Sequence, residues 1–406
     1  MTHRQRQILF ISHDASRTGA PIALLRFLRL FKQNTNIPFQ ILLKRGGELA
    51  CEFSKLAPTH MLNYSELCCT RDNKALYRIL RKLGLSQSKA YSILRLLGFK
   101  DYLDQAEFLR KIYANSNIQL IYSNTITNGD VLEALTSFLN CPIISHAHEL
   151  QYGIESSGLE NFKKTKKLTT YYITCAQAVK DNLEKLHSIP SKKMSVIYEF
   201  TDIAYHNYEL NILHKELHLS DHSFVVGASC TIDWRKGADL FIYLAFIIHK
   251  RSPSLPIHFV WIGAESDFTV RQMNLGLDRL PIRNHIHFIG AKADPMPYFN
   301  YFDLFVLTSR EDPFPLVCLE NAILGKPIIC FHDAGGMPEF VQDRFGIIVP
   351  YLDLDAMSDA INSLYENPEL KNQLGSNAKQ KVIKDHGVDK QSHRVLELIE
   401  SFIKNP

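Results

Sequence analysis

The chain has 406 residues, 46% of them apolar and 22% charged, with a net charge of +4. That length holds two domains at ~100–200 residues each, and the composition excludes a disordered tail, a collagen-like fibre and a small disulfide scaffold. The charge is too small for nucleic acid to be a general partner. The longest apolar run, Leu240–Ile248, falls short of the roughly 18–20 residues that span a bilayer.

In chain order, the opening MTHRQRQILFISHD reads as a buried strand, not a secretory signal. Strands are expected at 7–13, 39–44, 118–123, 142–145, 171–175 and 195–198, with helices between them, for example 21–32 and 178–186. Runs such as ILFIS and YYITC are apolar throughout, as in a parallel sheet covered on both faces. After an aperiodic stretch at 200–223 the plan repeats, with strands at 224–229, 257–262, 287–289, 304–308, 327–331 and 346–349. Helices are expected at 238–249, 316–324 and, last, 391–404. Alternating strands and helices imply two doubly wound α/β domains: residues 1–203, residues 204–388, and a terminal helix at 389–406 that returns to the hinge. Ligands of such sheets lie beyond the carboxyl ends of the strands, so the expected site is the cleft between the domains. The eight cysteines, none in C-x-x-C spacing, read as buried thiols of a reducing cytoplasm.

Several chemistries are excluded by missing motifs. The first strand is followed by HDASRTGA rather than G-x-G-x-x-G, and no P-loop or G-x-S-x-G elbow occurs. His148-Glu149 lacks the second histidine of a zinc-protease helix. The Asp353-Leu354-Asp355 triplet precedes a helical run, and Asp353 reads as its cap rather than as a metal ligand.

The most informative stretch is LFVLTSREDPFPLVCLENAILG, residues 304–325. A buried strand runs into a charged loop and then a helix, with Pro315 placed in the first helical turn. The helix start at Pro315 and Leu316 offers free N–H groups to an anion. Asp312 and Glu320 flank that start, and carboxylates accept hydrogen bonds from sugar hydroxyls.

The spacing of Asp312 and Glu320 resembles the paired acids of the retaining glycosyltransferases of the family 4 type (glycosyl transferases group 1). The likeness extends over roughly residues 7–385: Gly19 in SRTGAPIALL, His148 in SHAHEL, Glu199 in VIYEFTD, Lys236 in TIDWRKG, Gly290 in IHFIG, and Gly335 and Gly336 in FHDAGGMPE. The first acid is Asp here where the family has Glu. The family's arginine after the first strand of the second domain has no clear counterpart, and Arg235 is the candidate substitute.

The resemblance implies the GT-B fold, two Rossmann-like domains facing across a cleft. It implies transfer of a sugar from a nucleoside diphosphate sugar to an acceptor hydroxyl with retention, through front-face attack and no metal. His148, Lys236 and Asp312 become the catalytic candidates. Gly19, Arg235, Lys236, Gly290, Asp312, Pro315, Leu316, Glu320, Gly335 and Gly336 become the donor-binding set. Glu320 would hold the ribose, Asp312 the sugar, and Lys236 the diphosphate. Cell-surface polysaccharide or glycolipid assembly is the expected setting, with a glycan or lipid-linked acceptor. A non-catalytic sugar-nucleotide-binding subunit, or an epimerase or hydrolase on the same fold, stays open.

Read singly, Asp312 and Glu320 are also a cap and a solvated helix face, Lys236 a surface lysine, His148 a satisfied core histidine, and Gly335-Gly336 a plain turn. His13 and His146 read as structural, and Trp234 as packing. The stretch Arg71–Lys100 holds eight basic residues and one acid, Asp72, with apolar residues at helical spacing. It fits peripheral binding to an anionic inner membrane surface, or else a helical hairpin packed on its own domain.

Overall fold

The computed structural model describes residues 6–62, 74–85, 93, 97, 105–203, 212–264 and 267–404. The first sheet is built from β1 (Gln7–Ser12), β2 (Phe39–Leu43), β3 (Thr59–Met61), β4 (Ile118–Ser123), β5 (Ile143–Ala147), β6 (Tyr171–Thr174) and β7 (Met194–Val196). The second holds β8 (Phe224–Ser229), β9 (Ile257–Ile262), β10 (Ile286–Phe288), β11 (Leu304–Leu307), β12 (Ile328–Phe331) and β13 (Gly346–Val349). Their orders are β3-β2-β1-β4-β5-β6-β7 and β10-β9-β8-β11-β12-β13. The central pairs β1–β4 and β8–β9 run parallel. Each order reverses once, between β1 and β4 and between β8 and β11. A doubly wound sheet opens a crevice at such a reversal, because the connecting helices depart to opposite faces.

Both sheets follow from their sequences. Ile8, Leu9, Phe10 and Ile11 of β1 are fully buried, as a strand covered on both faces requires. The helix Ala238–Arg251 turns Phe241, Leu244, Ala245 and Ile248 inward, the three- and four-residue spacing of one helix face. Phe241 meets Trp261 of β9 edge-on at 5.3 Å. Twelve strands match the expected segments to within about two residues at their ends, the usual uncertainty of element boundaries. The strand that the sequence did not signal is β3, three residues long and partly exposed. A short edge strand needs no apolar run.

The sheets lie on either side of residue 203, but the compact units are not contiguous. One comprises 1–147, 154–173 and 396–406, and the other 148–153 and 174–395. The last helix, Val388–Lys404, starts three residues earlier than expected. Its end contacts the first unit's own residues: Ile403 O accepts from Arg6 Nη1 at 3.1 Å, and Phe402 packs on Tyr171. Asp353 caps the helix Leu354–Glu366, accepting from the Ala356 N–H at 2.8 Å. Cys175, Cys318 and Cys330 are buried and Cys51 is exposed, while Cys68 and Cys69 lie outside the described residues. Among the described residues no helix is long and apolar enough to cross a membrane.

Four histidines stack at the edge of the second sheet. The ring of His285 lies 4.1 Å from that of His249 and 5.1 Å from that of His258, and His258 Nδ1 is 3.3 Å from His287 Nε2. Burial, then neighbouring histidines and, at His287, Arg283, lower His258 and His287 to about 4. Burial likewise lowers His386 to about 4. Between that value and the ordinary 6.5 the unfolded chain binds more protons than the folded one, so stability rises with pH there. The stabilisation is complete above pH 6.5 and is lost as pH falls towards about 4. Thermal unfolding across that range should show the decline, and His258→Gln with His287→Gln should make it shallower. An equally steep decline in the double variant would place the acid sensitivity elsewhere.

Candidate active site

The loops after β8 and β11 flank the reversal of the second sheet. In the first, Asp233 accepts from the Lys236 N–H at 2.7 Å and from Thr231 Oγ1 at 3.2 Å, closing a turn. Gly237 follows at φ 71°, capping the helix Ala238–Arg251. A Cβ at Gly237 would stand 2.0 Å from the Thr308 carbonyl, so only glycine lets the two loops approach this closely. Thr308 Oγ1 returns a hydrogen bond to the Gly237 carbonyl at 3.0 Å.

This approach brings Lys236 Nζ to 2.6 Å from Asp312 Oδ2, with the side chains only 13% and 5% exposed. Ser309 Oγ donates to the same carboxylate oxygen at 3.2 Å. The Asp312 N–H donates to Ala334 O at 2.7 Å, tying in the loop after β12. There Gly335 has φ 137°, and a Cβ on it would fall 1.8 Å from Asp312 O. Gly336 is crowded too, its Cβ position 2.3 Å from Pro313 O. Both glycines are therefore steric necessities beside Asp312.

Adjacent acids diverge. Glu311 points away from Lys236 and accepts from the Tyr152 N–H at 3.0 and 3.1 Å, and burial raises its carboxyl above the ordinary range. Arg235 Nη1 donates to the Glu311 carbonyl at 2.9 Å. Arg310 reaches across to Asp239 with two bonds, 2.9 and 2.7 Å, and donates to Trp234 O at 2.7 Å. Trp234 is not packed inside as expected: it is 61% exposed.

The helix Leu316–Ile323 begins at the expected residue. Pro315 is its N-cap, extended at ψ 124° rather than in the first turn, and no side chain caps the helix. The residue before a proline is driven out of the helical region, which keeps Phe314 from opening the helix, and Pro315 itself supplies no N–H. Glu320 is half-buried one turn in from Leu316.

His148 Nδ1 lies 2.6 Å from Glu199 Oε1, both side chains nearly buried. Burial opposes a charge on His148, but the charge and hydrogen bond of Glu199 outweigh it and raise the imidazole. Gly290, at φ 74°, accepts from the Gly263 N–H at 2.8 Å at the ends of β10 and β9. Gly263 went unremarked in the sequence. A Cβ there would lie 2.4 Å from Cys230 O, and its signal was a glycine closing the apolar run IHFVWI. Gly19 starts the helix Gly19–Asn34 in the first unit. A Cβ on it would meet no protein atom within 4 Å, so the space beside Gly19 is open. Glu339, at the end of the FHDAGGMPE stretch, accepts from the Gln177 and Ala178 N–H groups at 2.8 and 2.7 Å, capping the helix Gln177–Lys185.

Residues 211–381, within this second unit, match the glycosyl transferases group 1 family. An uncharacterized glycosyltransferase of Haemophilus influenzae is 25% identical over 156 residues, 38% of this chain and 43% of that protein. The N,N'-diacetylbacillosaminyl-diphospho-undecaprenol alpha-1,3-N-acetylgalactosaminyltransferase of Campylobacter jejuni is 28% identical over 176 residues, 42% of this chain and 43% of that one. The chain thus matches under half the length of these curated relatives. Anabaena HepE, solved in complex with UDP and glucose, superposes with a TM-score of 0.76 over 98% of this chain and 100% of its own, at 18% identity. The fold is GT-B.

Removing either member of a buried ion pair strands the other charge, at a cost of about 3 kcal/mol. Lys236→Met and Asp312→Leu should each lower the unfolding free energy by about that much, and the double variant should recover most of the loss. Chemical denaturation of the four proteins checks this. Additive losses would mean that the two side chains do not interact in solution.

Proposed function

We propose that this chain, whose residues 211–381 belong to the glycosyl transferases group 1 family, is a glycosyltransferase of polysaccharide or glycolipid assembly. It moves a sugar from a nucleoside diphosphate sugar to an acceptor hydroxyl with retention of configuration. The observation that carries the reading is the Lys236–Asp312 pair at the strand reversal, in a domain matching that family.

A nucleoside diphosphate sugar presents an anion joined to a hydroxyl-rich ring, and the site offers a cation joined to a carboxylate. Lys236, with Arg235 beside it, faces the diphosphate. Leu316 and the N–H groups after it add the positive end of the helix. Charge on the leaving diphosphate is greatest in the transition state, so fixed positive groups there accelerate the transfer. Asp312 accepts from a hydroxyl of the donor sugar, and Glu320 holds the ribose hydroxyls. His148, made more basic by Glu199, serves as a donor to the sugar side. No carboxylate is assigned as a nucleophile. The leaving phosphate takes the acceptor proton as the acceptor attacks from the same face. The ammonium and the helix supply the positive charge that a metal gives in other transferases, so none is required.

The naming of the Campylobacter relative for a diphospho-undecaprenol acceptor supports a lipid-linked acceptor and a peripheral position on the membrane. So does the helix Lys74–Lys82: Arg78, Arg81 and Lys82 are exposed, and so are Ile79 and, just beyond it, Leu83, at 53% and 72%. Arg71, Lys89, Arg95 and Lys100 lie outside the described residues.

Glu320→Ala should weaken binding of the bare nucleoside diphosphate by roughly 1.5–3 kcal/mol. Asp312→Asn, which frees Lys236, should keep or tighten that binding while turnover collapses. Calorimetry with UDP, GDP and ADP, and a donor assay in EDTA, check both. Activity that needs added manganese would refute the metal-free account. For the membrane, sedimentation with anionic vesicles should be lost at high salt and on changing Arg78, Arg81 and Lys82 to Glu, each basic residue contributing ~1 kcal/mol.

A further inference from the structure

Trp234 and Trp261 are the chain's two tryptophans. Trp261 is fully buried, whereas Trp234 keeps 61% of its surface exposed. The exposure is not that of a loose loop. The Trp234 carbonyl accepts from Arg310 Nη1 at 2.7 Å, and the guanidinium of Arg310 lies 5.0 Å from the centre of the indole ring while gripping Asp239 with both nitrogens. Two residues on, Lys236 is bonded to Asp233 and Asp312.

Tyr152, 43% exposed, stands with its ring 6.0 Å from that of Trp234 and inclined by 36°. Its N–H is held by Glu311, next in sequence to Asp312. Two exposed aromatic rings are thus anchored separately to the two loops that carry the Lys236–Asp312 pair. The guanidinium of Arg310 adjoins the Trp234 ring and the carboxylate of Glu311 the Tyr152 backbone. Rings with one apolar face and a wet edge suit ligands of mixed character. An acyl chain needs a longer apolar groove than two rings provide. A pyranose has a C–H face and a rim of hydroxyls, which is the complement of this arrangement.

We infer that Trp234 and Tyr152 form a platform on which a pyranose ring of the acceptor stacks, so that the acceptor hydroxyl belongs to a sugar. The inference rests on the glycosyl transfer proposed above.

Acrylamide quenching isolates Trp234, because Trp261 is buried. The full chain is titrated with methyl α-D-glucopyranoside, methyl α-D-galactopyranoside, methyl α-D-mannopyranoside and N-acetyl-D-glucosamine, each with and without UDP, GDP or ADP. At least one pyranoside should shield Trp234 and shift its emission to the blue. Trp234→Phe should abolish the quenchable signal. Tyr152→Ala should weaken the apparent pyranoside affinity roughly five- to tenfold, the factor for one lost stacking contact, and Tyr152→Phe should restore it. Shielding by a nucleoside diphosphate alone would assign the rings to the base and overturn the inference. So would nucleotide binding intact with no pyranoside shielding. If no nucleoside diphosphate binds the wild-type chain at all, as read by thermal shift, the transferase reading fails and the platform with it.

Discussion

The ion pair between Lys236 and Asp312 is the interaction on which the arrangement of the second domain's site depends. The two residues are 76 positions apart and meet because the order of the sheet reverses between β8 and β11. Their loops leave neighbouring strands while the helices that follow depart to opposite faces. Everything nearby serves that approach. Gly237 removes a Cβ that would collide with Thr308, and Gly335 removes one that would collide with Asp312 itself. Ser309 completes the carboxylate's hydrogen bonding.

A buried ion pair seldom adds much stability, since desolvating two charges offsets most of their attraction. Its value at a site is different. The opposed charges hold each other in position before a ligand arrives, and a ligand that is itself part anion and part hydroxyl can replace each partner for the other. The surrounding bonds keep the loops from collapsing onto the pair. Arg310 crosses to Asp239, Arg235 to the Glu311 carbonyl, and Glu311 to the backbone of Tyr152. The same set of bonds holds two aromatic rings at the rim in a fixed relation, which is why their exposure carries information.

Much of this was legible beforehand, for identifiable reasons. Strands such as β1 and β8 were readable because burial on both faces demands unbroken apolar runs, and β3 was not because an edge demands nothing of the kind. Asp353 was readable as a cap from its place before a helical run. Pro315 was misplaced by one position, because proline suits both the first turn and the residue before it. Trp234 was misread as packing, since a tryptophan carries no mark of which way its ring turns. Gly19 and Gly335 looked alike in sequence, yet a side chain has room at 19 and none at 335.

The amino-acid sequence by itself determined the two doubly wound sheets, the positions of their elements, and the residue types at the carboxyl ends of the strands. These are local matters, governed by hydrophobic periodicity and by what proline, glycine and aspartate do to the backbone near them. Only the tertiary structure decided that Lys236 pairs with Asp312 rather than Glu311, that Glu311 and Glu339 turn to cap backbone N–H groups, and that Glu199 lies against His148 and raises its imidazole. Those outcomes depend on distances between segments far apart in the chain. Adjacent carboxylates on one loop point in different directions according to a few backbone angles, which residue type leaves open and packing settles.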